Sequence, residues 1–268
     1  MSNFLQTMAA SSTERAAAVG NIPASALDTT AVPLRLGAFD VIAEIKDRSP
    51  AEGGLAVDGA DRAERARQYV SGGAAAISVL TEPSRFDGTL EHLEEVAAAV
   101  PDTPVMRKDF LVDPVQILEG KRAGASGVLL IVTMLDDALL RAMLDCAAEL
   151  GMFVLLESFD ETDLARASQL IDNSEDQQRA ERGELLFGVN TRDLRTLHVE
   201  PRRLETLAPF LPTGRSVAES GLHVAEDAAV VAGLGYQLAL VGTALMRSDD
   251  PEALVGAMRA AGSARIAT

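Results

Sequence analysis

VIAEIKDRSPAEGG, residues 41–54, is the stretch on which the fold turns. A doubly wound nucleotide-binding sheet calls for a glycine-rich phosphate turn directly after its first strand. Here the β-type run Val41–Lys46 ends in Glu44, Ile45 and Lys46 and continues into Asp47, Arg48, Ser49 and Pro50. Residues i and i+2 of a strand share a face. Val41, Ala43 and Ile45 therefore form an apolar side suited to packed helices, while Ile42, Glu44 and Lys46 carry charge into whatever the other side encloses.

Seven further runs of the same kind follow: Ala75–Leu80, Pro104–Lys108, Gly127–Val132, Phe153–Glu157, Leu185–Asn190, Arg215–Glu219 and Gln237–Val241. Successive runs start 22 to 34 residues apart, enough for one strand and one helix each, and the intervening segments are rich in Ala, Leu, Glu and Arg with helical periodicity. Eight such units predict an α/β fold closed as a (β/α)₈ TIM barrel, with the doubly wound sheet as the alternative. The whole chain, residues 1–268, reads as one barrel domain, with a barrel proper at 41–262. Residues 1–40 begin with the amphipathic NFLQTMAASSTERAAAV and predict an N-terminal helical extension packed on the barrel. The polar segment 172–184, DNSEDQQRAERGE, reads as a solvated loop or a frayed helix end on the face away from the active rim.

Alternation places a polar residue at the C-terminal end of five strands: Lys46 with Glu44, Lys108, Glu157, Asn190 and Glu219. One such residue could be a solvated terminus or a structural ion pair; five converging on the rim where barrel enzymes work predict an active site. Lysine use sharpens the pattern. Of 24 basic residues only Lys46, Lys108 and Lys121 are lysines, and an ammonium, unlike a guanidinium, can give up a proton. Lys121, in the third helix, reads as an ordinary surface residue. After the seventh and eighth strands stand Ser220-Gly221 and Gly242-Thr243, where barrels commonly offer backbone N–H groups to phosphate. These pairs favour a phosphorylated small-molecule substrate, although each glycine alone also serves as a turn residue.

Composition limits the other classes. Hydrophobic residues make up 47%, enough for a buried core, and a net charge of −16 repels nucleic-acid phosphates and anionic lipid. Neither nucleic acid nor membrane is expected as a partner. The single Cys146 cannot form an intrachain disulfide, and no basic segment followed by an apolar signal core begins the chain; a cytoplasmic protein is expected. The sequence does not set the oligomeric state, a monomer being favoured. Three histidines and one cysteine leave no zinc-ligand spacing, and neither metal nor cofactor is expected.

The ordered set AEIKDRSP (43–50), SVLTEPSRFDG (78–88), MRKDF (106–110), LLES (155–158), GVNTRDL (188–194), AESGL (218–222) and LVGTALM (240–246) closely resembles the indole-3-glycerol phosphate synthase family. The resemblance runs from about Phe39 to Met246. It implies a lyase of tryptophan biosynthesis that closes a ring in 1-(2-carboxyphenylamino)-1-deoxyribulose 5-phosphate with loss of carbon dioxide and water, using no cofactor or metal. By the same resemblance Lys108 is the general acid that protonates the ketone oxygen and Glu157 holds it and offsets positive charge on the amine nitrogen. Glu44 and Lys46 serve dehydration, either one being the acid. Asn190 and Glu219 hold hydroxyls and the ring nitrogen, Arg192 steers the carboxylate, and Ser49, Ser220, Gly221, Gly242 and Thr243 cradle the phosphate. Phe86, Phe110, Leu130 and Ile131 form apolar walls around the aryl ring or simply pack the barrel. Ala51, Ser158 and Thr191 depart from the family's commoner residues and bear on substrate detail.

Four alternatives remain. A paralogue could serve a specialised indole pathway. An isomerase of a neighbouring aminated sugar phosphate would share the phosphate site but needs a Cys/Asp acid–base pair, and Cys146 falls in the fourth helix. A Schiff-base aldolase would use Lys108 as a nucleophile, and a phosphate-ligand sensor would bind without turnover.

Overall fold

The computed structural model describes residues 3–49, 53–55, 61–171 and 173–267. Eight parallel strands close into a barrel: β1 (Asp40–Ile45), β2 (Ala76–Leu80), β3 (Val105–Lys108), β4 (Gly127–Ile131), β5 (Phe153–Ser158), β6 (Leu185–Asn190), β7 (Arg215–Glu219) and β8 (Leu238–Val241). Each pairs with its neighbours in sequence, and β8 returns to β1 with Asp40 opposite Leu238 and Ala43 opposite Val241. No edge is left open, so the backbone groups of every strand are paired within the barrel. The doubly wound alternative is excluded by this closure. Each predicted run forms a strand to within a residue or two; Lys46 lies just past β1, and Val132 opens a short 3₁₀ turn.

The intervening helices start where chemistry can satisfy their first N–H groups. Asp113, Asp136, Asp160 and Asp250 each accept a hydrogen bond from a backbone N–H in the first turn, and Pro114 and Pro251 stand where a missing N–H is harmless. The helices bury apolar stripes against the outward strand faces; Val41, Ala43 and Ile45 are all buried.

Residues 3–18 form a helix, as the N-terminal pattern predicts. It docks through Leu5 and Met8, both buried, and through Ser12, whose hydroxyl accepts a hydrogen bond from Gln116 Nε2 at 2.9 Å. Among the described residues no helix is long and apolar enough to cross a membrane.

Two expectations are corrected outside the rim. The polar segment is an ordered helix, Ser174–Glu181, rather than a solvated loop or frayed end; Asp172 lies outside the described residues. Asn173 caps it, and Asp176 is buried in ion pairs with Arg141 at 2.5 Å and Arg179 at 3.4 Å, so tertiary charge pairing orders a stretch whose composition reads as solvated. Lys121 is 3% exposed rather than on the surface, and burial pushes its ammonium pKa down. Its position on the helix Pro114–Arg122 turns the stem inward, beside buried Ile117 and Gly120.

Candidate active site

The carboxyl ends of the strands and the loops that follow them enclose a cavity of about 400 Å³. Alternation delivers its floor. Glu44 of β1, Lys108 of β3 and Glu219 of β7 project into it with Lys46, and Asn190 of β6 stands beside them. Lys46 Nζ is 2.6 Å from Glu44 Oε1, and Lys108 Nζ lies 3.7 Å from Glu44 Oε2 and 3.9 Å from Glu157 Oε2. Lys108 is thus held between carboxylates from strands on either side.

Glu157 is the one predicted catalytic group that does not line the cavity. It is fully buried beneath it, where Asn190 Nδ2 donates to its Oε1 at 3.2 Å. Its reach to a substrate therefore runs through Lys108 and Asn190. Asn190 also caps its own loop, accepting from the Arg192 backbone N–H at 2.9 Å, which turns the Arg192 side chain toward the opening.

Burial sets the electrostatics. By itself it would push the Lys108 ammonium pKa down, but Glu44, Glu157 and Glu219 outweigh that effect and hold it above the ordinary lysine value. Burial likewise opposes charge on Glu44, and there Lys46 and Lys108 prevail, keeping its pKa low. Glu219 has no such cation of its own. Burial and then the neighbouring Glu157 drive its pKa well above the usual carboxylate value, and burial raises that of Glu157 too, against Lys108 and Asn190.

On one side of the floor lie Ser49, Ser220, Gly221, Gly242 and Thr243, all lining the cavity. Ser220 and Gly221 have φ of 66° and 79°, so two consecutive residues sit in the left-handed region, a backbone turn suited to pointing successive N–H groups at an anion. Gly242 is required by proximity: a Cβ there would come within 2.4 Å of Glu44 Oε1 and 2.9 Å of Lys46 Nζ. Across the cavity the walls are apolar, with Phe86, Phe110 and Ile131 in the lining, as the family resemblance implies. Leu130 is a correction. It is buried but faces out of the barrel, since its neighbours Leu129 and Ile131 take the inward face and adjacent strand residues cannot share one.

Sequence reasoning missed part of the wall. Phe4 of the N-terminal helix packs edge-on against Phe110, ring centroids 5.9 Å apart, and Phe86 meets Phe110 at 6.2 Å. Leu194, Leu197 and Val199 close the other side from the antiparallel ribbon Arg192–Asp193 and His198–Val199 that follows β6. Leu194 belongs to a motif already singled out; nothing local marks Phe4 or Leu197. Asp109, directly after Lys108, also lines the cavity and pairs with Arg15 of the N-terminal helix at 2.7 Å. An ammonium between carboxylates, an anion cradle and an aromatic wall together suit a substrate with a phosphate at one end and an aryl group at the other.

Comparison with known proteins bears on the family to which the chain belongs. A profile of the indole-3-glycerol phosphate synthase family matches residues 24–258. The chain is similar to proteins named indole-3-glycerol phosphate synthase: one from Nocardioides sp. is 47% identical over 84% of this chain and 81% of its own, and one from Parafrankia sp. is 44% identical over 86% and 81%. One from Mycobacterium leprae is 43% identical over 86% and 80%. Among solved structures, 3-hexulose-6-phosphate synthase from Salmonella typhimurium superimposes with a TM-score of 0.63 at 16% identity, covering 85% of this chain and all of that one, a likeness of fold alone.

Proposed function

The chain belongs to the indole-3-glycerol phosphate synthase family, and from that membership we propose how its residues carry the family's reaction. The protein is a carboxy-lyase of tryptophan biosynthesis, converting 1-(2-carboxyphenylamino)-1-deoxyribulose 5-phosphate to indole-3-glycerol phosphate with loss of carbon dioxide and water. The observation that carries the residue assignment is the position of Lys108 Nζ, on the cavity floor between Glu44 and Glu157.

Ring closure needs a proton on the ketone oxygen as the aromatic carbon attacks. Lys108 is the general acid; Glu44 and Glu157, at 3.7 and 3.9 Å, keep it charged until the developing alkoxide takes the proton. Glu157 orients Lys108 from below and offsets positive charge near the amine nitrogen through the field of a buried carboxyl. Glu44 and Lys46, 2.6 Å apart, form the acid–base pair of dehydration, and Lys46 also faces the phosphate cradle. Asn190 and Glu219 hold substrate polar groups, Arg192 attracts the carboxylate, and Phe86, Phe110 and Ile131 sandwich the aryl ring. Ser49, Ser220, Gly221, Gly242 and Thr243 bind the phosphate.

On the same reading the chain acts as one domain, a barrel at 41–262 with residues 1–40 as an extension that completes the aryl pocket through Phe4. It works as a monomer in the cytoplasm. The test is to incubate purified protein with the carboxyphenylamino ribulose phosphate and follow indole fluorescence together with carbon dioxide release. Both signals at steady turnover are expected; binding without either would refute the proposal.

A further inference from the structure

At the floor of the cavity and just beneath it stand three carboxyl groups, Glu44 and Glu219 in the lining and Glu157 below, against two ammonium groups, Lys46 and Lys108. Three buried negative charges facing two positive ones leave one charge without a counter-ion, a costly state that a protein relieves by keeping one carboxyl protonated. The arrangement identifies which. Glu44 has both lysines within 3.7 Å, and Glu157 accepts a hydrogen bond from Asn190 and has Lys108 at 3.9 Å. Glu219 is 1% exposed, and neither of its oxygens accepts a hydrogen bond from any group among the described residues; Glu157 Oε2 likewise accepts none. The two carboxyls are neighbours: Glu219 Oε1 sits over the Cα of Gly188, where a Cβ would lie only 2.1 Å from it, and Gly188 is the register partner of Glu157 on the adjacent strand. An O–H on Glu219 donated to Glu157 satisfies both. Other polar groups near the floor do not supply this proton: Asp109 is committed to Arg15 and Arg107, while Arg192 and His223 lie on the loops above.

We propose that Glu219 is a protonated carboxylic acid in the free protein at neutral pH, hydrogen-bonded to Glu157, and that this pair is the proton store that recharges Lys108 during turnover. The inference rests on the reaction assigned above and deepens it. When the aromatic carbon bonds to the ketone carbon, the Lys108 ammonium gives its proton to the ketone oxygen and becomes an amine. Carbon dioxide then leaves, and the electrons of the broken carbon–carbon bond return to the ring. Departure of the new hydroxyl as water takes a second proton, and one proton leaves the ring CH₂ next to nitrogen. Two protons enter and one leaves, so each turnover takes up one proton from solvent. Within the site, the Glu219 O–H bond breaks as an O–H forms on Glu157, and that proton passes to the Lys108 amine. Both glutamates are left ionised beside a recharged ammonium until solvent refills the pair. Because the pair shares its proton, its titration belongs to the two groups together.

Infrared spectroscopy of the full, ligand-free chain at pH 8 tests the stored proton without depending on catalysis. Burial holds the Asp163 carboxyl at about 6, so that group is ionised at this pH. The wild type is expected to show the C=O stretch of a protonated carboxylic acid, shifted by exchange into D₂O, and Glu219→Gln to lose it. No such band in the wild type, or an undiminished band in Glu219→Gln, overturns the proposal. The amide introduced by Glu219→Gln is neutral and keeps an N–H donor toward Glu157, but it cannot release a proton. A kcat lower by about a hundredfold with KM within a few-fold of wild type is therefore expected, and an unchanged kcat overturns the supply role. Should the wild type itself release no carbon dioxide while its band is present, the reaction assignment fails and the proton location stands.

Discussion

Replacing Asp109 by Asn tests the link between the N-terminal helix and the active rim. Asp109 follows Lys108, is 2% exposed, and accepts from both terminal nitrogens of Arg15 at 2.7 and 2.8 Å, from Thr81 Oγ1 at 2.8 Å, from Arg107 at 3.3 Å and from the Phe110 backbone N–H at 2.8 Å. An amide keeps one acceptor oxygen and loses the charge, so the two guanidinium groups compete for what remains. Breaking a buried ion pair by removing one partner costs about 3–5 kcal/mol. Here Arg15 is 26% exposed and can regain water, and Arg107 keeps Glu119 at 2.9 Å and the Gln116 carbonyl at 2.7 Å. The expected loss is therefore at the lower end, about 3 kcal/mol. At roughly 2–4 °C per kcal/mol for a domain of this size, Tm falls by about 6–12 °C. The effect depends on pH with a definite sign. Burial opposes charge on Asp109, but Arg15 and Arg107 hold its folded pKa below the ordinary aspartate value. Its contribution is therefore present above the unfolded pKa of about 4 and is lost as pH falls through that value toward the folded one. Thermal unfolding of wild type and Asp109→Asn at pH 7 and near pH 3 measures both. A drop under about 2 °C at pH 7, or an equal difference at the two pH values, refutes the reasoning.

Three other outcomes follow from the same structure. Lys108→Ala is expected to lower kcat by at least about a hundredfold in the steady-state indole assay, and a near-normal rate would remove Lys108 as the general acid. In Gly188→Ala the new Cβ would lie 2.1 Å from Glu219 Oε1 and 3.1 Å from Leu155 Cδ1; overpacking costs about 1–3 kcal/mol, Glu219 is displaced, and kcat falls with circular dichroism retained, whereas full activity would show that the Glu219 position does not matter. Burial raises the Asp163 carboxyl to about 6, so ionising it destabilises the fold as pH rises from about 4 through 6. Asp163→Asn should accordingly raise Tm more at pH 8 than at pH 5, since its amide oxygen can still accept from the Phe159 N–H; equal shifts at the two pH values would contradict this.

Local pattern was enough to specify the barrel and the floor of its site. Strand alternation has a period of two and needs no distant information, so a polar residue at the carboxyl end of a run, such as Lys108 or Glu219, is committed to the inward face as soon as the run is a strand. The same rule, applied strictly, excludes Leu130 from the wall once Ile131 is placed there. Loop glycines such as Gly221 and Gly242 were legible because their place after the seventh and eighth strands follows from chain order alone. Other features depend on partners far along the chain, which folding alone brings together. Phe4 reaches the aryl wall because its helix docks through Arg15 on Asp109, 94 residues away. The charged segment after residue 173 is a helix because Arg141 and Arg179 bury Asp176. The proton state of Glu219 belongs here as well: a carboxyl is acidic or neutral according to the charges that surround it, and those come from three other strands brought together by closure of the barrel.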